Sequence, residues 1–254
     1  MFFEVDALTK RFGGLTAVAG VSFSIAREEI VGVFGPNGSG KTTLLNLIAG
    51  IYRPTGGRLI WKDRALNGTK PHEIAALGIV KTFQNPQLFA ELSVAEHVLI
   101  AAHLKLKREL SLRRVMTLLH PARHDKTLRQ QVERVLVLCR LTALADEPAA
   151  SLSYGNEKML GVAMALMCEP QLLLLDEPAT GLGQDEIANL DAVLRNLRAH
   201  GTTLCIIDHK VGFLGRLADR AIAMHHGSKI AEGPPDAVLK DAAVVEAYLG
   251  RRHA

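Results

Sequence analysis

The eight residues Gly35-Pro36-Asn37-Gly38-Ser39-Gly40-Lys41-Thr42 constrain this chain more than any other stretch. They fit G-x-x-x-x-G-K-[ST], a loop whose backbone N–H groups wrap a chain of phosphates. The glycines admit backbone conformations and a close phosphate approach that a Cβ would obstruct. Ile30 to Phe34, just before the loop, reads as a buried strand, and Thr42 to Ala49, just after it, reads as a helix. In that strand–loop–helix setting the helix N-terminus and the loop amides face the phosphates with partial positive charge. Lys41 adds a point charge near the β and γ phosphates, and the Thr42 hydroxyl is placed to ligate Mg²⁺. The expected ligand is a nucleoside triphosphate.

The second half of the site lies far along the chain. Leu172-Leu173-Leu174-Leu175-Asp176-Glu177 is a short apolar run ending in two acids. Four leucines are too few for a helix of their own and suit a fully buried parallel strand. Asp176 is expected to hold Mg²⁺ through water. Glu177 is expected near the γ-phosphate, where a carboxylate orients and deprotonates an attacking water. Alone, paired acids after a strand would be a solvated turn; beside the phosphate loop they read as chemistry.

Between these segments Leu152-Ser153-Tyr154-Gly155-Asn156 opens a helical stretch to about Cys168. Read alone, it is a helix cap. The order of phosphate loop, Gln84, LSYGN, LLLLDEP and His209 resembles the ATP-binding subunit of ABC transporters over nearly the whole chain. That resemblance implies an α/β phosphate-loop NTPase core with a mixed sheet, an antiparallel β subdomain and an inserted helical subdomain. It implies a single domain over 1–254, with the nucleotide core at 1–92 and 171–233, helices at 93–170, and C-terminal helices at 234–254.

By the same resemblance ATP with Mg²⁺ contacts the loop from Gly35 to Thr43. Ser153, Tyr154, Gly155 and Asn156 face the ATP of a partner subunit. Gln84 touches Mg²⁺ or the water, and His209 contacts the γ-phosphate. Phe12 in Lys10-Arg11-Phe12-Gly13-Gly14 matches the place where a ring stacks on adenine, with burial in the core as the competing reading. The implied partners are a second ABC ATPase subunit, two transmembrane permease subunits and, indirectly, a soluble substrate-binding protein. The implied location is peripheral, on the cytoplasmic face of the inner or plasma membrane.

Within the family the chain looks similar to the LivG-like ATPases of branched-chain amino acid importers. The segments that carry this are Arg11 to Val18, Lys81-Thr82-Phe83-Gln84, Leu88-Phe89, Leu152 to Gly155 and the ending Ala247-Tyr248-Leu249-Gly250. Urea or amide importer ATPases are close alternatives. There are departures from the pattern: Asn156 replaces a Gln, Met159 and Met164 replace basic residues, Asp208 replaces a Glu, and Gly183-Gln184-Asp185 replaces an Asn-Pro stretch.

Composition narrows the classes further. With 254 residues, 48% hydrophobic and 22% charged, the chain can bury a large core. No apolar run approaches the roughly 20 residues of a membrane span, and no basic-then-apolar leader is evident at Met1-Phe2-Phe3-Glu4. Cys139, Cys168 and Cys205 lack any C-x-x-C spacing and read as buried reduced thiols, not metal ligands or disulfides. Between Ala101 and Val135 nine Lys or Arg stand against three Asp or Glu, whereas the whole chain carries only +4. Basicity is therefore local, reading as a solvated face or a contact with lipid head groups or membrane subunits. No nucleic-acid partner is expected. A non-transport ABC-type ATPase acting on nucleic acid is the alternative class, but its tandem nucleotide domains or long coiled-coil insert are not seen here.

Punctuation places the remaining elements. Val21 to Ala26 and Gly57 to Lys62 read as strands, and Arg53-Pro54-Thr55-Gly56-Gly57 as a turn. Ser93-Val94-Ala95-Glu96 is a capping box opening a helix through about Leu106. Helices are expected over 126–140 and 184–200, with two short ones after Gly233, and Gln84 is expected to end a strand.

Overall fold

The computed structural model describes residues 1–82, 86–108 and 121–249, and the side chains of 103–108, 121–125 and 249 are outside the description. Among the described residues ten strands form two sheets. β1 (Phe3–Phe12), β2 (Leu15–Ile25), β4 (Gly56–Trp61) and β5 (Arg64–Ala65) make an antiparallel sheet in the order β2-β1-β4-β5. The second sheet contains β3 (Ile30–Phe34), β6 (Ile79–Lys81), β7 (Leu172–Asp176), β8 (Thr203–Ile207), β9 (Arg220–His225) and β10 (Ser228–Gly233). Its order is β10-β9-β3-β8-β7-β6, parallel throughout except for the β9–β10 hairpin.

Every residue of β3, β7 and β8 is buried, as expected for strands covered on both faces. Successive side chains point to opposite faces, so each strand feeds two cores. Ile30, Phe34, Leu173, Leu175, Leu204 and Ile206 face a core shared with the helices. Val31, Val33, Leu172, Leu174, Cys205 and Ile207 face a second core, closed by the antiparallel sheet and by α1 (Lys41–Ile48).

The first core takes in the helices between the two halves of the sheet. α3 (Val94–Arg108) contributes Val94, Val98 and Ala102, α4 (Pro121–Leu138) contributes Val132 and Leu136, and α5 (Tyr154–Leu166) contributes Leu160 and Ala163. The expected capping box is present: Ser93 N–H donates to Glu96 Oε2 at 2.7 Å, and Glu96 N–H donates to Ser93 Oγ at 3.2 Å. α2 (Pro71–Ala76), α6 (Gln184–Ala199) and α7 (Val211–Leu217) complete the central part of the chain. Two short helices end it, α8 (Pro235–Val238) and α9 (Ala242–Leu249), as expected.

Three expectations need correction or limits. β6 spans Ile79–Lys81, and the strand end expected at Gln84 lies outside the described residues, as do Phe83 and Asn85. α4 starts at Pro121, earlier than the expected Lys126. Most of the basic stretch 101–135 falls on side chains outside the description. No described helix is long and apolar enough to cross a membrane.

Burial pushes the thiols of Cys139 and Cys205 up to about 12, whereas Cys168 is partly exposed. Because the thiolate is the reactive form, a thiol reagent at pH 8 is expected to label Cys168 alone in the native protein. Labelling of all three is expected only after unfolding, and a colorimetric thiol count with and without denaturant checks this.

Candidate nucleotide-binding and hydrolysis site

Parallel strands deliver their carboxyl ends to one edge of the sheet, the place where open α/β sheets bind ligands. Here β3 leads into the loop at Gly35, β7 ends in Asp176, and β8 leads into Asp208 and His209. The loop requires its glycines. Gly40 caps α1 with φ 99°, and a Cβ there would overlap the Ala17 carbonyl oxygen. At Gly35, φ 155°, a Cβ would overlap the carbonyl oxygen of Met224. Gly227, in the turn between β9 and β10, donates its N–H to Ser39 O at 3.0 Å and so ties the hairpin to the loop.

A cavity of about 590 Å³ opens over this loop. Asn37, Gly38 and Gly40 to Thr43 line it together with Phe12, Leu15, Thr16 and Glu177. Lys41 Nζ donates to Gly35 O at 2.8 Å and Pro36 O at 3.0 Å. Burial lowers the Lys41 pKa from its ordinary value, and the carboxylates of Glu177, Asp176 and Asp208 oppose that shift. The ammonium is thus desolvated and faces acids, a setting in which an anionic ligand gains much from a point charge.

Phe12 is 42% exposed at the end of β1, so the core reading does not hold for it. Tyr52 meets it edge-on at 5.3 Å between centroids, and Lys10 Nζ lies 4.8 Å from its centroid. The ring is therefore buttressed on the protein side while lining the cavity. Tyr52 and Lys10 carry no motif and were not among the sequence candidates.

The acids sit as follows. Asp176 is buried, and Thr42 Oγ1 donates to its Oδ1 at 3.4 Å, while its Oδ2 pairs with Lys81 Nζ at 2.9 Å. Glu177 has φ 51°, a left-handed conformation unusual for a residue with a side chain, and its N–H donates to Ile207 O at 2.7 Å. That turn swings the carboxylate into the cavity, where Thr180 Oγ1 donates to Oε2 at 3.3 Å. His209 Nδ1 is 3.9 Å from the same Oε2 and 3.4 Å from Thr180 Oγ1. Asp208 is buried and accepts from Ala179 N–H at 2.9 Å and Lys210 N–H at 2.8 Å, which fixes the segment carrying Glu177 against the end of β8. Asp208 was noted in the sequence only as a departure, and Thr180 not at all.

Ser153 to Asn156 lie elsewhere: none of them lines this cavity. Ser153 Oγ accepts from Asn156 N–H at 3.3 Å and caps α5, and Tyr154 is exposed. Gly155 is packed so closely on Glu186 that a Cβ would overlap that carboxylate. From the other side, α9 approaches the root of the loop, with the Tyr248 ring 6.3 Å from Phe34. Burial raises the Tyr248 phenol pKa, and a hydrogen bond with the Gly35 backbone opposes the shift.

A glycine-wrapped loop ahead of a helix, a desolvated lysine and two acids at a strand end define a phosphate-loop nucleotide hydrolase. The ABC transporter family profile matches residues 18–180, and the profile for branched-chain amino acid ATP-binding cassette transporters matches 228–254. The chain is 36% identical over 251 residues to the high-affinity branched-chain amino acid transport ATP-binding protein BraF of Pseudomonas aeruginosa, covering 97% of each. It is 37% identical over 250 residues to LivG of Salmonella typhimurium, covering 97% of this chain and 96% of that one. Among solved structures, the ADP conformation of an ATP-binding cassette of an ABC transporter superposes with a TM-score of 0.86 at 30% identity, covering 98% of each chain. A nucleotide-free cassette gives 0.83 at 30% identity. The chain belongs to the ABC transporter family, as one of its nucleotide-binding ATPase subunits.

Lys41→Ala is expected to abolish nucleotide binding, because it removes the desolvated charge beside the phosphates. If Phe12 stacks on the base, Phe12→Ala removes one stack worth roughly 1 kcal/mol and affinity should fall only about fivefold. Titration of a fluorescent ATP analogue measures both; undiminished affinity in Phe12→Ala would exclude the stacking role.

Proposed function

We propose that this chain hydrolyses ATP to drive import of branched-chain or related amino acids through separate membrane subunits. The observation that carries the reading is the division of the site. Lys41, Thr42 and Glu177 converge on one cavity, whereas Ser153 to Asn156 present a capped helix N-terminus away from it. One chain thus holds two unlike half-sites, and two ATPase subunits face to face complete both. Support for the solute comes from the high-affinity branched-chain amino acid transport role printed for BraF and LivG.

In this reading the partner ATPase is a distinct sister chain. Two permease subunits span the membrane, a soluble binding protein delivers the solute, and the chain sits peripherally on the cytoplasmic face. The helical region 93–170 is the arm that meets the membrane subunits.

The loop amides and Lys41 hold the β and γ phosphates, and Phe12 stacks on the base. Thr42 Oγ1 and Asp176 Oδ1, 3.4 Å apart beside the loop, are hard oxygen donors that fit Mg²⁺. Mg²⁺ bound there would neutralise phosphate charge. Glu177 takes the proton of the attacking water, its carboxylate aimed by the left-handed turn and by the Thr180 hydroxyl. His209, beside Glu177 and Thr180, is assigned to the γ-phosphate, and Gln84 to the water or metal.

Coupling is assigned to the segment after Gln84. Pro86 packs so close to Gly161 of α5 that a Cβ there would press on its ring. Leu88 packs against the helical core, so only Phe89 of the expected apolar pair is presented, 62% exposed. Its backbone is fixed: Phe89 N–H donates to Nε2 of buried His97 at 2.9 Å, and His97 Nδ1–H donates to Ser93 O at 2.8 Å. A rigidly held aromatic at the start of the helical arm suits a contact with a membrane subunit.

Glu177→Gln keeps the shape and removes the base. Its ATPase rate is expected to fall about 100-fold or more while ATP still binds. With the sister subunit and ATP, sedimentation should then show closed dimers; a monomeric profile would contradict the two-half-site reading. Phe89→Asp is expected to leave ATP binding by the isolated subunit intact and to abolish uptake by the reconstituted transporter in vesicles. Normal solute-stimulated uptake would remove Phe89 from the coupling surface.

A further inference from the structure

Lys81 is a largely buried cation that the hydrolytic assignment does not use, and it touches the metal-binding carboxylate. Lys81 is 11% exposed and Asp176 3% exposed, with Nζ 2.9 Å from Oδ2. The same Nζ donates to Asn46 Oδ1 at 2.7 Å. We propose that Lys81 is a positioning residue for metal binding, turning Asp176 so that Oδ1 is directed at Thr42 and the phosphates. This rests on the reading of Asp176 as the Mg²⁺ carboxylate.

Three observations converge on it. The parallel register places Lys81 opposite Leu174, so its side chain reaches forward along the neighbouring strand to Asp176. Thr42 and Asn46 are one turn apart on α1 and therefore share a face. Lys81 thereby closes a circuit: Thr42 to Asp176 Oδ1, Asp176 Oδ2 to Lys81, Lys81 to Asn46, and back along α1. Within it Lys81 takes up Oδ2 and leaves Oδ1, on the Thr42 side, for the ion.

Energetics favour a positioning role over a purely stabilising one. A buried ion pair gains little net stability over apolar residues of the same volume, because both charges lose water. Carboxylates that ligate metals are characteristically held by hydrogen-bonding partners, whose loss lowers metal affinity. Lys81 also places a positive charge beside Asp176, one of the three acids that act on Lys41. Without it, Asp176 would be free to turn either oxygen to the ion or toward the solvated end of the cavity.

The test is Mn²⁺ binding to the full chain with a non-hydrolysable ATP analogue, followed by electron paramagnetic resonance. Lys81→Met is expected to raise the Mn²⁺ dissociation constant about tenfold or more. Affinity for the analogue in EDTA should be unchanged, and Lys81→Arg should restore most of the metal affinity. If Lys81→Met does not fold, Asn46→Ala decides: it keeps the ion pair, removes its anchor on α1, and should weaken Mn²⁺ binding by a smaller factor. Unchanged Mn²⁺ affinity in a folded Lys81→Met, or in Asn46→Ala where that variant decides, overturns the proposal. So does an equal loss of analogue affinity in EDTA, which would make Lys81 merely structural. Asp176→Asn is the control. If Mn²⁺ binding survives there, the assignment of the metal to Asp176 fails, which is distinguishable from failure of Lys81 alone.

Discussion

Everything at this site depends on three strands that are buried on both faces. Because β3, β7 and β8 alternate their side chains between two cores, neither core can slip against the sheet without exposing a row of apolar residues to the wrong side. The register is therefore held from both faces, and with it the relative height of the strand ends. Asp176 pairs across to Ile207, and Val33 to the same Ile207. The loop at Gly35, the acids at 176 and 177 and the segment at 208 and 209 thus leave the sheet at one level. Catalytic placement here is a by-product of hydrophobic packing more than of polar contacts.

The electrostatics of that edge are built from opposed charges, most of them buried. Lys41 faces Asp176, Glu177 and Asp208, and Lys81 takes one oxygen of Asp176. Each acid has a different tether: Thr42 and Lys81 for Asp176, Thr180 for Glu177, and the backbone N–H groups of Ala179 and Lys210 for Asp208. Three carboxylates of one chemical type are thereby held in three separate settings. Glu177 alone of them lines the cavity, at the expense of a left-handed backbone.

The loop and the acidic strand end were legible in the sequence because their chemistry is local. Glycines at fixed spacing answer to backbone angles, and a four-leucine run answers to burial. The capping box at Ser93 was legible for the same reason. Lys81 was not, because its partner is Asp176, which only the β6–β7 register brings near. Thr180 and Asp208 act through turns whose geometry follows from the strands they join. β1 escaped notice because it is irregular: its register to β2 shifts after Val5, after Leu8 and after Lys10, and Ala7 has φ 46°. A bulged strand loses the strict alternation that a reader of sequence relies on. Leu88 and Phe89, equivalent as adjacent apolar residues, were separated only by packing, one inward and one outward.

The glycines of the loop also sort themselves by what surrounds them. Gly38 has open space where a Cβ would stand, so a side chain there meets only the strain of its φ of 79°, whereas Gly35 and Gly40 are also pressed against Met224 O of the hairpin and Ala17 O of the antiparallel sheet. The loop is thus a wedge between two sheets as well as a cradle for phosphate. In a collection of inactive variants these neighbours would belong to different classes. Substitutions at Gly35 or Gly40 would be lost as unstable, scarce protein, whereas those at Gly38 would accumulate as folded subunits able to occupy a place in an assembly and hold it idle. Residues two or three positions apart in a single motif can therefore produce recessive loss in one case and dominant interference in the other.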